Sequence, residues 1–105
     1  MPQFVMLARH SPDLCPTANS KTRQLMKQSA KEIPDIAKRL GLKLITVNVY
    51  GPDHEILAVV EASGIEPVRE FAMQSRLMQW NTVNINATWS MEEAMDRMDT
   101  LPAIF

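Results

Sequence analysis

Four stretches of this chain predict β-strands, and the last of them shows a clean alternation of apolar and polar residues. The stretches are residues 3–9, 42–50, 54–62 and 81–89. The second is rich in β-branched residues, and the third is apolar on both faces. The turn Gly51-Pro52-Asp53 lies between these two stretches, so they are expected to form a hairpin.

Apolar residues spaced three and four positions apart predict two helices between the strands. The first is capped by Asn19 or Ser20 and ends at Gly41, and Pro34 is expected to kink or split it. The second begins near Pro67, a residue that suits the first turn of a helix. Its inner face is predicted to comprise Val68, Phe71, Ala72, Ser75 and Met78.

A third, short helix is predicted near the C-terminus. Ser90 and Glu93 have the spacing of a capping box, and Pro102 is expected to end this region. The stripe formed by Met91, Ala94, Met95 and Met98 has helical spacing. It is interpreted as core or interface packing rather than as a series of metal ligands.

The resulting order, βαββαβ followed by a short helix, is the ferredoxin-like arrangement. It predicts an α+β fold with one four-stranded antiparallel sheet in the order 4-1-3-2, built by the whole chain, residues 1–105, as a single domain. Two helices cover only one face of this sheet. Because the third strand is apolar on both faces, we expect a homodimer in which two sheets pack face to face.

Several segments in this layout resemble the dimeric α/β-barrel superfamily, with the nearest resemblance to small GYD-type domains and uncharacterised relatives. The segments are Ala58-Val-Val-Glu-Ala62, Phe71-Ala72, Asn81-Thr-Val83 and Ser90-Met-Glu-Glu93. The layout is similar over residues 3–98 and the motifs over the second half, although Tyr50-Gly51-Pro52-Asp53-His54 replaces the Gly-Tyr-Asp signature. The resemblance implies a dimeric barrel and leaves the reaction open, because the superfamily includes monooxygenases, isomerases, haem enzymes and proteins without known activity.

Composition and charge narrow the function classes. The 105 residues are 46% hydrophobic and 22% charged, and the net charge is −1, so no nucleic-acid partner is expected. The longest apolar run, residues 56–60, is too short to cross a membrane, and the N-terminus lacks a signal-peptide pattern. The single cysteine, Cys15, cannot form an internal disulfide. We therefore expect a cytoplasmic protein without a membrane partner.

The predicted topology brings the chemically reactive residues to one end of the sheet. His10 ends the first strand, His54 begins the neighbouring antiparallel strand, and the loop with Cys15 leaves from the same end, near Trp80. The two imidazoles are expected to point to one face, with their nearest nitrogens roughly 3–4 Å apart. With the thiolate they could bind a divalent transition metal, and Asp13 or Asp53 could add an oxygen ligand.

Other interpretations of the same residues remain open. Cys15 could act as a nucleophile or persulfide carrier with His10 or His54 as base, and the Cys15-Pro16 pair could bind haem. Alternatively, the histidines bond to carbonyl groups and the cysteine is a small buried apolar residue.

Five residues are candidate ligand-binding positions: Trp80, at the end of the sheet just described, and Asn19, Arg23, Asn84 and Asn86. Asn19 and Arg23 lie near the start of the first helix, where an anion could bind, although simple capping by Asn19 explains the pattern as well. Asn84 and Asn86 form a polar stripe that either lines a pocket or faces solvent.

The sequence therefore predicts a small homodimer with a metal-binding or small-ligand pocket at His10, Cys15 and His54. The alternative is a non-catalytic protein-binding module. It would use the basic first helix, with Lys27, Lys31 and Lys38, together with the Met-rich C-terminal region.

Overall fold

The computed structural model describes residues 1–50 and 52–105, and for Tyr50 it describes the backbone alone. Its strands are β1 (Gln3–Arg9), β2 (Lys43–Tyr50), β3 (Glu55–Glu61) and β4 (Thr82–Ala87). Its helices are α1 (Ser20–Arg39), α2 (Ile65–Gln74) and α3 (Met91–Met98), and two 3₁₀ turns cover Pro12–Leu14 and Leu77–Gln79. Gly51, in the predicted hairpin turn, lies outside the described residues.

The four strands form one antiparallel sheet in the order β2-β3-β1-β4. This is the predicted order read from the opposite edge, and it confirms an α+β fold compatible with the ferredoxin-like arrangement. Met6 in the central strand β1 pairs with Ala58 on one side and with Ile85 on the other. The register along β2 shifts between Leu44 and Thr46, where the strand has a bulge or irregularity.

The core lies between one face of the sheet and the two long helices. Period-two alternation places the buried side chains of β1 and β3 on that face, and α1 and α2 cover them. The buried apolar residues of these four elements are Phe4, Met6, Ala8, Ile56, Ala58, Val60, Ile36, Ala37, Val68, Phe71 and Ala72. The opposite face has a half-buried apolar centre formed by Val5, Leu7, Leu57 and Val59.

Of the kink or split expected at Pro34, the split does not occur, because α1 continues across this residue. Pro34 lies on the exposed side of the helix, where water can reach the carbonyl group that loses its hydrogen bond. Helix α2 buries Val68, Phe71 and Ala72 as predicted, but it ends at Gln74. Met78 was predicted on its inner face and is instead 53% exposed, because it belongs to the following 3₁₀ turn.

The C-terminal segment lies apart from the core. Ser90 caps α3 by accepting a hydrogen bond from the Glu93 N–H at 3.0 Å. The helix ends at Met98, before Pro102, and none of its residues is buried, so its methionine stripe is not part of the core. Among the residues that the structure describes, no helix combines the length and the apolar character needed to cross a bilayer.

Candidate functional site

His10 is positioned by the end of β1. It follows Phe4, Met6 and Ala8 in the alternation of the strand, so its ring lies on the helix-covered face and is only 7% exposed. Its backbone N–H donates to the carbonyl of His54 at 3.1 Å. This bond places the two histidines opposite each other at the end of the β1–β3 pair.

His54 lies in the turn that enters β3 rather than in the strand itself, which begins at Glu55. Its backbone is left-handed, with a φ of 54°, a conformation that is uncommon for a residue with a side chain. The His10 and His54 rings nevertheless meet, with their centroids 5.5 Å apart and their planes at 72°. The two imidazoles are therefore on the same side of the sheet, as the topology predicted.

Cys15 is buried directly after the first 3₁₀ turn. Its N–H donates to the Pro12 carbonyl at 3.3 Å, and its own carbonyl accepts from the N–H groups of Ala18 and Asn19 at 2.9 and 2.8 Å. These bonds fold the loop back over the end of β1. The ligand atoms offered by His10, Cys15 and His54 consequently all lie within 4.8 Å of one another.

Asn81 determines which nitrogen of His10 faces the cluster. The Asn81 side-chain amide donates to the Leu77 carbonyl at 3.1 Å, so its oxygen is the atom that lies 2.9 Å from His10 Nδ1. Because this oxygen can only accept, Nδ1 is the protonated nitrogen and Nε2 of the neutral ring carries the lone pair. Within the described part of the chain, the buried atoms His10 Nε2 and His54 Nδ1 have no hydrogen-bond partner.

The thiol of Cys15 is acidified by its surroundings. Its pKa is lowered to about 6, first by hydrogen bonding from the Thr17 side chain and then by the Thr17 backbone. His10 contributes less and His54 least, while desolvation opposes the shift. Thr17 Oγ1 lies 3.0 Å from the sulfur. A hydroxyl group rather than an imidazole is therefore the main cause of the lowered pKa of Cys15.

A cavity of about 490 Å³ opens beside this cluster. The ring of Trp80, which is buried, lies with its centroid 5.0 Å from that of His10. Arg23 is held on the wall, because its Nε and Nη2 donate to the carbonyls of Pro16 and Thr17 at 2.8 and 3.0 Å. The lining residues are His10, Cys15, Pro16, Thr17, Arg23, Met26, Val49, His54, Ile56 and Trp80.

The remaining candidate residues lie elsewhere. Asn19 caps α1 by accepting from the Thr22 N–H at 3.1 Å, and its amide donates to the Asp13 carbonyl at 3.2 Å. Asn84 and Asn86 pair with Leu7 and Val5, so they occupy the face of the sheet that the helices do not cover and are exposed there. Strand alternation separates them from the cavity.

Neither Asp13 nor Asp53 belongs to the group of ligand atoms around His10 or to the lining of the cavity, as far as the described residues show. Sequence reasoning also missed two residues of the site, Thr17 and Asn81. The position of Thr17, two residues after the cysteine, was a usable local signal, whereas the role of Asn81 depends on a contact across 71 residues.

Thr17 and Asn81 each act on a neighbouring side chain. Thr17 stabilises the thiolate, and Asn81 orients the imidazole of His10. The site thus combines one acidified thiol, two close imidazoles and an adjoining cavity. In comparisons with known proteins, no protein-family model matches this chain, and no curated protein matches it significantly.

Proposed function

We propose that this protein binds a divalent transition-metal ion of the zinc class between His10, Cys15 and His54. The observation that carries the proposal is the buried lone pair of His10 Nε2. It has no hydrogen-bond partner in the described part of the chain, and the His10 ring offers a nitrogen within 4.8 Å of ligand atoms of Cys15 and His54. Burying such an atom without a partner costs free energy, and coordination to a metal would offset that cost.

The donor set favours this class of metal. Imidazole nitrogens and a thiolate suit zinc and its borderline neighbours, whereas magnesium and calcium prefer oxygen ligands. Bonds of about 2.0–2.1 Å to nitrogen and about 2.3 Å to sulfur would place the ligand atoms roughly 3.3–3.6 Å apart, so a pair at the 4.8 Å limit would close by about 1 Å on binding. The low pKa of Cys15 also favours binding, because the thiolate is the form that coordinates.

Three protein ligands would leave the fourth tetrahedral position to a small molecule in the adjoining cavity. When bound there, the ion would act as a Lewis acid toward that molecule or toward water. The residues of the chain supply the rest: Asn81 orients His10, Thr17 stabilises the thiolate, and Trp80 shields the imidazole. The proposed function is therefore metal-dependent binding of a small molecule, and it includes a cytoplasmic location that keeps the thiol reduced.

Cobalt(II) titration of the reduced, metal-free protein tests this proposal. We expect one ion per chain, with a sulfur-to-cobalt charge-transfer band and the intense visible bands of a tetrahedral site. Cys15→Ser should remove the charge-transfer band, and His10→Gln and His54→Gln should each weaken binding at least about tenfold. Asp13→Asn is the matched control in the same loop and should bind as the wild type does.

A flat titration, or a spectrum unchanged by Cys15→Ser, would contradict the metal site. If cobalt does not bind while the thiol reacts rapidly near neutral pH, the second candidate applies, in which Cys15 is a nucleophile. The observation that favours this alternative is the lowered pKa of the thiol, to about 6.

Homodimer formation and membership of the dimeric α/β-barrel superfamily are also part of the proposal. The apolar centre of the uncovered sheet face, with Leu57 and Val59, and the exposed methionine stripe of α3 support association. Sedimentation velocity should report a dimer, and Leu57→Lys should convert it to a monomer. If Met95→Lys has this effect instead, α3 forms the contact, as the protein-binding alternative requires. A wild-type monomer at micromolar concentration would contradict association by either surface.

A further inference from the structure

A second, inner cavity of about 140 Å³ lies beneath the middle of α1 and adjoins the cavity described above. The two cavities share four lining residues, Met26, Val49, Ile56 and Trp80. The two cavities therefore lie side by side, and the residues that border both of them are mostly apolar. The inner cavity is not used by the metal site itself.

The size and the walls of the inner cavity select an apolar group of limited volume. Its lining includes Met6, Phe71 and Leu77, and it also includes Trp80 from the shared wall. An engineered apolar cavity of about 150 Å³ binds benzene, so a benzene-sized ring matches this volume.

Ser29 gives independent support for a ligand in this cavity. It lines the inner cavity and is only 6% exposed, and its hydroxyl oxygen has no hydrogen-bond partner among the residues described. A buried hydroxyl without a partner is unfavourable. An oxygen substituent on a bound ring would supply the missing partner.

The outer cavity favours a negative charge on the other end of the molecule. Arg23 is the permanently charged residue among the described lining residues, and two hydrogen bonds to backbone carbonyls keep its guanidinium in place. No carboxylate side chain of the described residues lines this cavity, so the acidified thiol of Cys15 is the one lining group that would oppose a negative charge there. Arg23 and Ser29 are six residues apart on α1, which separates them by about 9 Å along the helix axis.

We propose that the two cavities together bind a small aryl carboxylate, with the ring in the inner cavity and the carboxylate in the outer one. A phenol ring joined to a carboxylate by a two-carbon linker has a length comparable to the spacing of Ser29 and Arg23. The contact between the carboxylate and a metal ion rests on the proposed function. The contacts with Arg23 and with the inner cavity do not.

Isothermal titration calorimetry with 3-phenylpropanoate tests the proposal on zinc-loaded and metal-free protein. We expect it to bind at least about tenfold more tightly than propanoate, which lacks the ring, because ring burial removes a large apolar area from water. It should also bind more tightly than 3-phenylpropan-1-ol, which lacks the charge. Equal affinities for 3-phenylpropanoate and propanoate would overturn the proposal.

Variants that fill the inner cavity supply the structural control. Ser29→Leu should reduce the affinity for 3-phenylpropanoate to that for propanoate. Ala30→Leu should do the same from an exposed position that also lines this cavity, so the test does not depend on one buried substitution. Gln24→Leu, on the same helix but outside the described linings, should bind as the wild type does. Unchanged affinity in both filled variants would overturn the proposal.

A para-hydroxyl group on the ring tests Ser29 separately. The wild type should bind 3-(4-hydroxyphenyl)propanoate about fivefold more tightly than 3-phenylpropanoate, and Ser29→Ala should abolish this preference. A preference that persists in Ser29→Ala would overturn the assigned role of Ser29.

The experiments distinguish failure of this proposal from failure of the metal site. Cobalt binding without any advantage from the ring would overturn the aryl carboxylate and leave the metal site intact. An advantage from the ring in metal-free protein that does not bind cobalt would overturn the metal site and support the cavity assignment.

Discussion

The two helices that cover the sheet pack against it in different ways. The shorter helix, α2, buries Val68, Phe71 and Ala72 almost completely. The longer helix, α1, has twice as many residues, yet two of its four buried residues, Thr22 and Ser29, are polar. Its N-terminal half contributes lining residues to both cavities.

The edge strand β2 leaves one side of the helix-covered sheet face open to solvent. Val47 and Val49 pair with Ala58 and Ile56 and so point to the helix-covered face, yet they are 48% and 56% exposed. Helix α1 does not cover them. Most of the helical residues around the two cavities therefore belong to α1, whereas α2 packs fully on the sheet and adds Phe71 to the wall of the inner cavity. Substitutions at the lining positions of α1 should consequently cost little stability.

The largest expected effect is on the free energy of unfolding, which should fall more for a substitution in α2 than for one in α1. Phe71→Ala removes a fully buried ring and should lower the free energy of unfolding by about 3–5 kcal/mol. Met26→Ala, at a half-buried position that already lines both cavities, should cost less than about 1.5 kcal/mol. Urea denaturation followed by circular dichroism measures both values. Equal losses of unfolding free energy in the two variants would show that α1 and α2 pack equally well.

The next effect concerns Asn81, which connects the segment after α2 to the candidate metal site. Asn81 is anchored to Leu77, after α2, and orients His10. Asn81→Ala should weaken cobalt binding about 10–100-fold, because the hydrogen bond from His10 Nδ1 to the Asn81 oxygen holds the imidazole in place. Asn81→Asp should restore binding, since its carboxylate also accepts from Nδ1. Asn84→Ala, on the other sheet face, is the control, and equal affinities for all four proteins would refute the role of Asn81.

A smaller effect separates α1 from the C-terminal helix. Asn19→Ala removes the N-cap of a helix that packs on the sheet and should lower the global stability by about 1 kcal/mol. Ser90→Ala removes the equivalent bond from α3, which buries no residues, so the denaturation midpoint should not change. A lowered midpoint in Ser90→Ala would show that α3 unfolds together with the domain.

The smallest expected effect is a shift in the reactivity of the thiol. In metal-free protein, the rate of iodoacetamide labelling of Cys15 should rise with pH through an inflection near 6, since only the thiolate reacts. An unperturbed thiol would continue to gain reactivity up to about pH 8.5.

Thr17→Val should move this inflection upward more than His10→Gln, and His54→Gln should move it least, following the order of the causes that lower the pKa. If iodoacetamide labels Cys15 slowly in the native protein and quickly only on unfolding, the outer cavity does not admit small molecules to the sulfur.

Local patterns predicted most of the fold, because short-range rules govern strand alternation and helix capping. The strand order, the buried face of α2 through Phe71 and Ala72, and the caps at Asn19 and Ser90 all follow from such rules. The absence of a split at Pro34 and the wrong placement of Met78 have local causes too. In the first, solvent tolerates a lost hydrogen bond, and in the second the helix ends early.

The meeting of His10, Cys15 and His54 was predictable because antiparallel pairing places the end of β1 beside the start of β3. The cavities and the partners of the cluster were not predictable. Asn81 and Thr17 act through side-chain geometry, and the open side of the helical layer depends on how far α1 reaches over β2. Such distances arise from packing among segments far apart in the chain.

The amino-acid sequence by itself determined the element order, the topology of the sheet and the end at which the reactive residues gather. These properties depend on periodicity and chirality, which each segment carries locally. Only the tertiary structure decided which nitrogen of His10 is free, what acidifies Cys15 and where an apolar molecule can bind. Each of these depends on separations of a few ångströms between residues from different elements, and no local pattern encodes such separations.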